Sequence, residues 1–525
     1  MGKSQEVAPV RLAELVASLS LGIDLGFGQP MEHVLRQCLI GMRLGELLGL
    51  DEVDRATIYY TSLLVNVGCH SDAHEQAKWF GDDIALKATK YDHEPFSARD
   101  AIGMVRLLGS GMGPLHRFRT GLEFAISGRR EVSDMIARHA ALARELGAQL
   151  GLSDAVLDAL AGSYERWDGR GWPDGKRGDA IPLASRVVQL AEFVEVSHRV
   201  GGVEAATSLA RRRCATQFDP GLVDVLCLDA EKVFGHIDDG GSWGAVIDAE
   251  PSLTVALSAD ECDEALLAIS RFVDLKSPFT GGHSLAVAEL AAAAAQQMGL
   301  PDDAVRTLYR AGLVHDFGRL GVSNAIWDKR GQLGAGEWER VRLHPYFTER
   351  MLQQSPTLEP LARIAVQHRE RLDGTGYPRG LSGNAISPDA RILGAADAYQ
   401  AMREPRPHRP AHTSTNAAAE LRRDVRAGRL ESDAVEAVLA AAGHRVVRRK
   451  EGPSGLTARE VDVLRLVARG LSNKAIATCL VISPKTAGNH IEHIYTKIGT
   501  SSRAAASLFA MRHGLLPEEG YSAAP

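Results

Sequence analysis

Six side chains between residues 283 and 397 are of the types that hold metal ions: His283, the adjacent pair His315 and Asp316, His344, His368 and Asp397. The gaps separating them run from 24 to 32 residues, about one helix plus a loop each. Such spacing puts each donor on a different helix with its side chain turned into one bundle core, which is how helical bundles build metal centres. Imidazole together with carboxylate suits iron, manganese or zinc. Two such ions a few ångströms apart can hold a phosphodiester, activate a water and stabilise the leaving oxygen. A single histidine on an apolar helix face is more often an ordinary core or surface residue. The context "LVHDFG" argues otherwise here, because burying His315 beside Asp316 costs free energy unless a metal or a partner compensates.

Donors placed in this way require helices, and the sequence supplies them. Apolar residues recur at three- and four-residue spacing, as in "HSLAVAELAAAAAQQMGL", and β-branched runs are short, so the fold reads as all-α. The chain also repeats itself. "RERLDGTGYP" (369–378) echoes "YERWDGRGWP" (164–173), matching Glu165, Arg166, Asp168, Gly169, Gly171 and Pro173 with Glu370, Arg371, Asp373, Gly374, Gly376 and Pro378. At an offset of 250, His33 falls on His283 and Gly68 on Gly318. Downstream, "RVVQLAEFVEV" (186–196) falls on "RILGAADAYQA" (391–401). Two tandem helical bundle domains are expected, 10–235 and 255–443, then a linker (444–455), a third module (456–516) and a disordered tail (517–525).

The first copy lacks the chemistry of the second. The His–Asp pair falls on Val65 and Asn66, His368 on Ser163 and Asp397 on Glu192. Only His33 keeps its ligand type, with Glu192 as a candidate substitute. The loop survives because its glycines and proline shape a turn. The other histidines of this region, His70, His74, His93, His116 and His139, match no site and read as surface residues.

The chain has 525 residues, 45% apolar and 24% charged, an ordinary balance for a soluble protein of several domains. The apolar stretch "LAELVASLSLGIDLGFG" is interrupted by Glu14 and Asp24 and has the form of neither a signal peptide nor a membrane span. A cytoplasmic location without a membrane partner is expected. Six cysteines with no C-x-x-C pair exclude a disulfide framework and a zinc knuckle. The net charge of −6 is uneven: residues 445–515 hold twelve Lys/Arg and four acids, a local +8 on a body of −14. A basic terminal module on an acidic body suits a polyanion partner.

That module is the most legible part of the chain. In "LTARE", Thr457 and Glu460 form a capping box that starts a helix. Ser472 caps a short second helix, and Ser483 with Pro484 opens a third. Two short helices joined by a tight turn, the second with a polar face, form a helix-turn-helix. The run "GLTAREVDVLRLVARGLSNKAIATCLVISPKTAGNHIEHIYTKIGTSSRAAA" closely resembles the LuxR-type helix-turn-helix, a four-helix domain. The resemblance implies double-stranded DNA as partner, "SPKTAGNHIEHIYTKI" as recognition helix and "SSRAAASLFAMRHGLL" as a dimerisation helix, hence a homodimer. Lys474, Lys485 and Lys497 would reach phosphates, with Thr486, Asn489 and His490 nearest the bases. Ala487 and Gly488 depart from the family's usual residues, and Gly488 is expected to permit close backbone approach to DNA.

The run "TGGHS", "LVHDFGRLGV", "LHP", "HRERLDGTGYP", "ISPDARILGAADAY" and "RPHR" resembles the HD-GYP domain, a branch of the HD metal-dependent phosphohydrolases, over about 275–412. The first copy then resembles a degenerate HD-GYP-like domain. The resemblance implies a helical bundle that hydrolyses cyclic di-GMP at a divalent-metal centre (iron, manganese or zinc, one or two ions). His283, His315, Asp316, His344, His368 and Asp397 would be the ligands, Asp316 and Arg319 the catalytic pair, and Tyr377, Arg406 and Arg409 the nucleotide contacts. Arg369 stands where the family has a second histidine, Arg319 where it has lysine and Gln400 where it has aspartate. These departures fall on the second metal and the substrate. The expected function is a DNA-binding transcriptional regulator that senses a cyclic dinucleotide or other phosphorylated small molecule and can hydrolyse it. The alternatives are a phosphodiesterase with an accessory DNA-binding tail and a metal-free scaffold.

Overall fold

Helices begin where the sequence offers caps. Ser258 and Glu261 form a capping box ahead of Ala259–Asp274, and the Ser387 hydroxyl accepts from the Ala390 amide with Pro388 in the first turn of Pro388–Arg403. The computed structural model describes residues 10–91, 134–238, 240–251, 256–445, 453–480 and 482–516. Among these the strands are two short ones, Val10–Arg11 and Ala256–Leu257, paired antiparallel with Val10 opposite Leu257. The chain divides into two compact units, Met1–His444 and Arg445–Pro525.

The first unit holds both copies in the same order of elements. Leu12–Gly26, His33–Leu47 and Glu52–Leu64 correspond to Ala259–Asp274, His283–Gln297 and Asp302–Val314. The turns Val67–His70 and Phe317–Gly321 follow. Beyond them the offset falls from 250 to 205, carrying Asp154–Ala161 onto Glu359–Ala365 and the start of Leu183–Arg212 onto Pro388–Arg403. The first copy therefore carries 45 additional residues between its two halves.

The copies share one continuous apolar core. Helix Leu12–Gly26 lies directly on the second copy: a Cβ on Gly22 would come within 2.5 Å of Met351 Cε and 3.0 Å of Leu320 Cδ1. Polar groups tie the first copy to the joining segment, through Glu250, and to the second copy, through Glu14. Arg11 Nε donates to Glu250 at 2.8 Å, Tyr60 donates to the other Glu250 oxygen at 2.7 Å, and Thr357 donates to Glu14 at 2.9 Å. The segment joining the copies contributes a further helix, Ser242–Asp248, whose Val246 is fully buried.

Asp83 of the first copy reaches into the second. It accepts from Ser323 Oγ at 2.7 Å and the Asn324 amide at 2.8 Å, and faces the ammoniums of Lys87 and Lys276 at 3.3 and 3.6 Å. Asn324 in turn donates to Asp328, which also receives Ser277 and pairs with His74. The network borders the turn that follows the His–Asp pair.

Two of the histidines expected at the surface are instead buried. His70 bridges the carbonyls of Val67 and Phe272, each at 2.6 Å, so it joins the two copies. His139 binds Asp72 at 2.9 Å. His74 is half-buried on Asp328, while His93 and His116 lie outside the described residues. A buried imidazole needs a hydrogen-bond partner brought from elsewhere in the fold, which neighbouring residues in the sequence do not reveal. No described helix is long and apolar enough to cross a membrane.

The second unit has its own core around Leu456, Leu464, Ile476, Ile491 and Ile494. Its helices are Ala458–Ala468, Asn473–Leu480, Pro484–Ile498 and Arg503–Arg512, with the capping box at Thr457 and Glu460 and caps at Ser472 and Ser483 as expected. Residues 446–452 of the linker and the tail 517–525 lie outside the described residues.

Asp83 yields a stability prediction. Burial opposes its charge, but Lys276 and Lys87 hold its carboxyl down at about 2. Replacing Asp83 by alanine strands two buried ammoniums, and the expected cost is about 3–5 kcal/mol in denaturant unfolding. Because the folded carboxyl titrates below its ordinary value of about 3.9, the difference from wild type is complete above about pH 4 and fades as pH falls towards 2.

Candidate metal centre and nucleic-acid interface

His283 opens helix His283–Gln297, His315 and Asp316 follow helix Asp302–Val314, and His344 opens His344–Leu352. His368 lies just beyond Glu359–Ala365, and Asp397 lies within Pro388–Arg403. All six are at most 1% exposed. The structure thus brings together every candidate ligand named from the sequence.

The donors face one another in two sets that meet at Asp316. Asp316 Oδ2 lies 3.7 Å from both His283 Nε2 and His315 Nε2, and His283 Nε2 is 3.4 Å from Asp397 Oδ1. Asp316 Oδ1 lies 3.4 Å from His344 Nε2 and 3.7 Å from His368 Nε2, and those nitrogens stand 3.4 Å apart. Donors about 2.1 Å from one ion in a tetrahedron stand roughly 3.4 Å apart, so the spacing suits metal ligation. His283 Nε2, His315 Nε2, Asp316 Oδ1 and Asp397 Oδ2 are buried with no hydrogen-bond partner, which is costly unless a cation sits among them.

The other face of each ring is pinned. The Nδ1–H groups of His315, His344 and His368 donate to the carbonyls of Gly312, Val341 and Ala365, at 2.7, 2.6 and 2.7 Å. Each carbonyl is three residues back, so the helix end itself fixes the tautomer and turns Nε2 inward. His283 Nδ1 instead meets Glu404 at 2.9–3.0 Å, and Glu404 receives Gln400 and Arg406, each at 2.9 Å. The sequence reading missed Glu404; its only signal was a carboxylate beside the "RPHR" segment.

Protonation follows from these surroundings. Burial opposes charge on Asp316, yet His315, Arg319 and His344 hold it well below the usual carboxylate range. Arg369 and His283 do the same for Asp397. Burial pushes His344 down to about 3 and keeps His315 and His368 low. Ionised carboxylates beside neutral imidazoles are the states that metal ligands need. His283 is the exception: despite burial, Asp397 and Glu404 raise it to about 9.

Three guanidiniums flank the donors. Arg319 reaches Asp316 at 3.3 Å and lies 3.9 Å over the Trp327 ring, which also edges His344. Arg369 reaches Asp397 at 3.2 Å. Arg406 is held by Glu404, close enough to Arg319 and Arg369 that these charges, after burial, depress its proton affinity. Arg409 donates instead to the carbonyls of Ala401, Met402, Glu404 and Pro410, at the end of helix Pro388–Arg403. Tyr377 packs edge-on to His344, with ring centres 6.0 Å apart.

The repeated loop has one shape in both copies. A Cβ on Gly376 would meet Glu370 Cα at 2.4 Å, and one on Gly171 would meet Glu165 Cα at 2.4 Å. Glu370 accepts the Arg379 and Leu381 amides, and Glu165 accepts that of Asp174. The first copy differs at the centre. Gly68 presses on His139 as Gly318 presses on His344, so His139 is the counterpart of His344 and a second retained histidine. It is bound to Asp72 rather than turned to a shared centre. Glu192 accepts from Lys90 at 2.6 Å, Asn66 at 2.8 Å and Tyr91 at 2.9 Å. Lys90 lies 5.6–5.8 Å from the ring centres of Phe27, Tyr91, Tyr164 and Phe193.

In the second unit, Lys474, Lys485, Thr486 and Asn489 are exposed and His490 is half-buried. Lys497 binds Glu460 at 2.8 Å, which ties it to the capping box. A Cβ on Gly488 would meet only Asn473 Nδ2, at 3.8 Å, so internal packing does not require glycine there.

Comparison with known proteins agrees with this geometry. The HD domain family matches residues 129–221 and 268–433, and the luxR family of bacterial regulatory proteins matches 454–510. The 3'3'-cGAMP-specific phosphodiesterase 3 of Vibrio cholerae is 34% identical over 415 residues, 78% of this chain and 90% of that protein. A cyclic di-GMP phosphodiesterase of Thermotoga maritima is 34% identical over 148 residues, 28% of this chain and 39% of that protein. The crystal structure of a cyclic GMP-AMP specific phosphodiesterase of V. cholerae superposes with a TM-score of 0.59 at 28% identity, covering 83% of this chain and 99% of that one.

Glu404 orients His283 without facing the other donors, so Glu404→Ala should weaken divalent-ion binding about 10- to 100-fold in a chelator competition, with the helical circular dichroism unchanged.

Proposed function

The chain belongs to the HD-GYP proteins of the HD domain family, and from that footing we propose that it is a DNA-binding transcriptional regulator that senses a cyclic dinucleotide and hydrolyses it. The second copy is the sensing domain, and the LuxR-type module carries its state to double-stranded DNA. The observation that carries this reading is the buried set of six donors with orphaned inward atoms, ringed by Arg319, Arg369 and Arg406. His283, His315, Asp316, His344, His368 and Asp397 would hold the metal. A divalent ion there supplies Lewis-acid polarisation of a phosphodiester and activation of water.

The chain's own residues do the rest. Arg319 and Arg406 offer charge-assisted donors to phosphate oxygens, a contact worth about twice a neutral hydrogen bond. The Arg319 guanidinium lies 3.9 Å from the centre of the Trp327 ring, a cation–π contact that favours its place beside the donors. Tyr377 offers a ring and hydroxyl to the nucleotide. The relatives named above act on 3'3'-cGAMP or cyclic di-GMP, which supports a cyclic dinucleotide as substrate class. On the DNA side, Lys474 and Lys485 meet phosphates while Asn489 and His490 face the bases. Leu508 and Met511, exposed on the last helix, support a homodimer.

Purified protein should retain divalent metal and convert 3'3'-cGAMP or cyclic di-GMP to linear product, while the His315→Ala/Asp316→Ala variant does neither. Absence of both metal and turnover in wild type, even with added Mn²⁺, would overturn the enzymatic part. In duplex binding, Lys485→Ala should lower the slope of log K against log salt by about 0.9, with Lys497→Ala changing it less.

A further inference from the structure

We propose that the guanidinium of Arg369 takes the place of one of two metal ions, so that the centre holds a single divalent ion on His283, His315, Asp316 and Asp397. This rests on the reading of the centre as a metal site.

The position of Arg369 is the first argument. It follows His368 directly, on the loop that borders the second donor set. Its Nη2 lies 3.2 Å from Asp397 Oδ1, the oxygen that also faces His283 Nε2, while Asp397 Oδ2 is buried without a hydrogen-bond partner. Arg369 Nε is itself buried without a hydrogen-bond partner. The second set, His344, His368 and Asp316 Oδ1, has three donors, and the residue that follows His368 in the chain is this fixed cation. An arginine cannot lose its proton to become a ligand, so it repels a second ion at every working pH.

The first copy supplies an independent second case. Glu192 is the counterpart of Asp397, and it too carries a protein cation, the Lys90 ammonium at 2.6 Å. There the replacement is complete: the His–Asp pair has become Val65 and Asn66, and Asn66 and Tyr91 close around the same carboxylate. In the second copy the other donors remain, so Arg369 replaces one cation and leaves room for the other. Its N–H groups present to a phosphate oxygen the positive charge that a second ion would otherwise bring.

The test counts ions. Full-length protein loaded with Mn²⁺ and desalted should carry about one ion per chain by elemental analysis, with an isolated-ion electron paramagnetic resonance spectrum. Arg369→His, which restores a donor and removes the charge, should rise to about two ions per chain with an exchange-coupled spectrum, and Arg369→Lys should stay at about one. Two coupled ions in wild type, or a single ion in a folded Arg369→His, overturns the proposal and leaves the phosphodiesterase reading standing. A wild type that binds no ion overturns both. Should Arg369→His fail to fold, the wild-type count alone decides.

Discussion

Six polar side chains buried in one apolar bundle must find partners there, and much of the second copy is arranged around that demand. Three imidazoles are satisfied on one side by carbonyls of their own helix ends, which needs the chain to place each histidine three residues past a helical carbonyl. Their inward nitrogens then converge only because helices approach closely. Gly312 lets its helix touch Ala288, where a Cβ would come within 2.5 Å, and Gly318 lies where a Cβ would sit 2.0 Å from the His344 carbonyl. The apolar packing and the polar centre are thus one constraint: glycine at the crossings sets the distances between donors.

Loss of that centre did not free the first copy to unfold or depart. Its helices keep the same order, its glycine-bearing loop keeps the same shape, and its carboxylate still holds a cation. There the positive charge on that carboxylate is the protein's own, the Lys90 ammonium. Around it, aromatic rings at 5.6–5.8 Å give the ammonium a favourable face on several sides. The copy then serves the other one mechanically, laying Leu12–Gly26 against Leu320 and Met351 and bracing the turn after the His–Asp pair through Asp83.

How much of this was legible in the sequence depended on register. The six donors and the all-α fold were readable because helix periodicity and residue type are local. The capping box at Thr457 and Glu460 and the caps at Ser472 and Ser483 were readable for the same reason. His139 was overlooked, since matching it to His344 needs the offset of 205 set by the repeated loop rather than the 250 of the helices before it; the contacts of Gly68 and Gly318 place the two histidines alike. Glu404 and the role of Gln400 were hidden because a residue that orients a ligand has no spacing rule of its own. Arg369 was visible as an oddity, but its reach to Asp397 needed coordinates.

The shared core of the two copies also says where this protein can be taken apart. The repeat suggests a cut near residue 250, yet such a cut would expose Leu320, Met351 and the buried lysines at Asp83 to solvent. Near residue 445 the two hydrophobic cores are already separate. For an engineer, the portable part is the whole of Met1–His444, with the luxR-family module as an exchangeable head. The duplicated body has become a single indivisible component, and selection acting on either half acts on both.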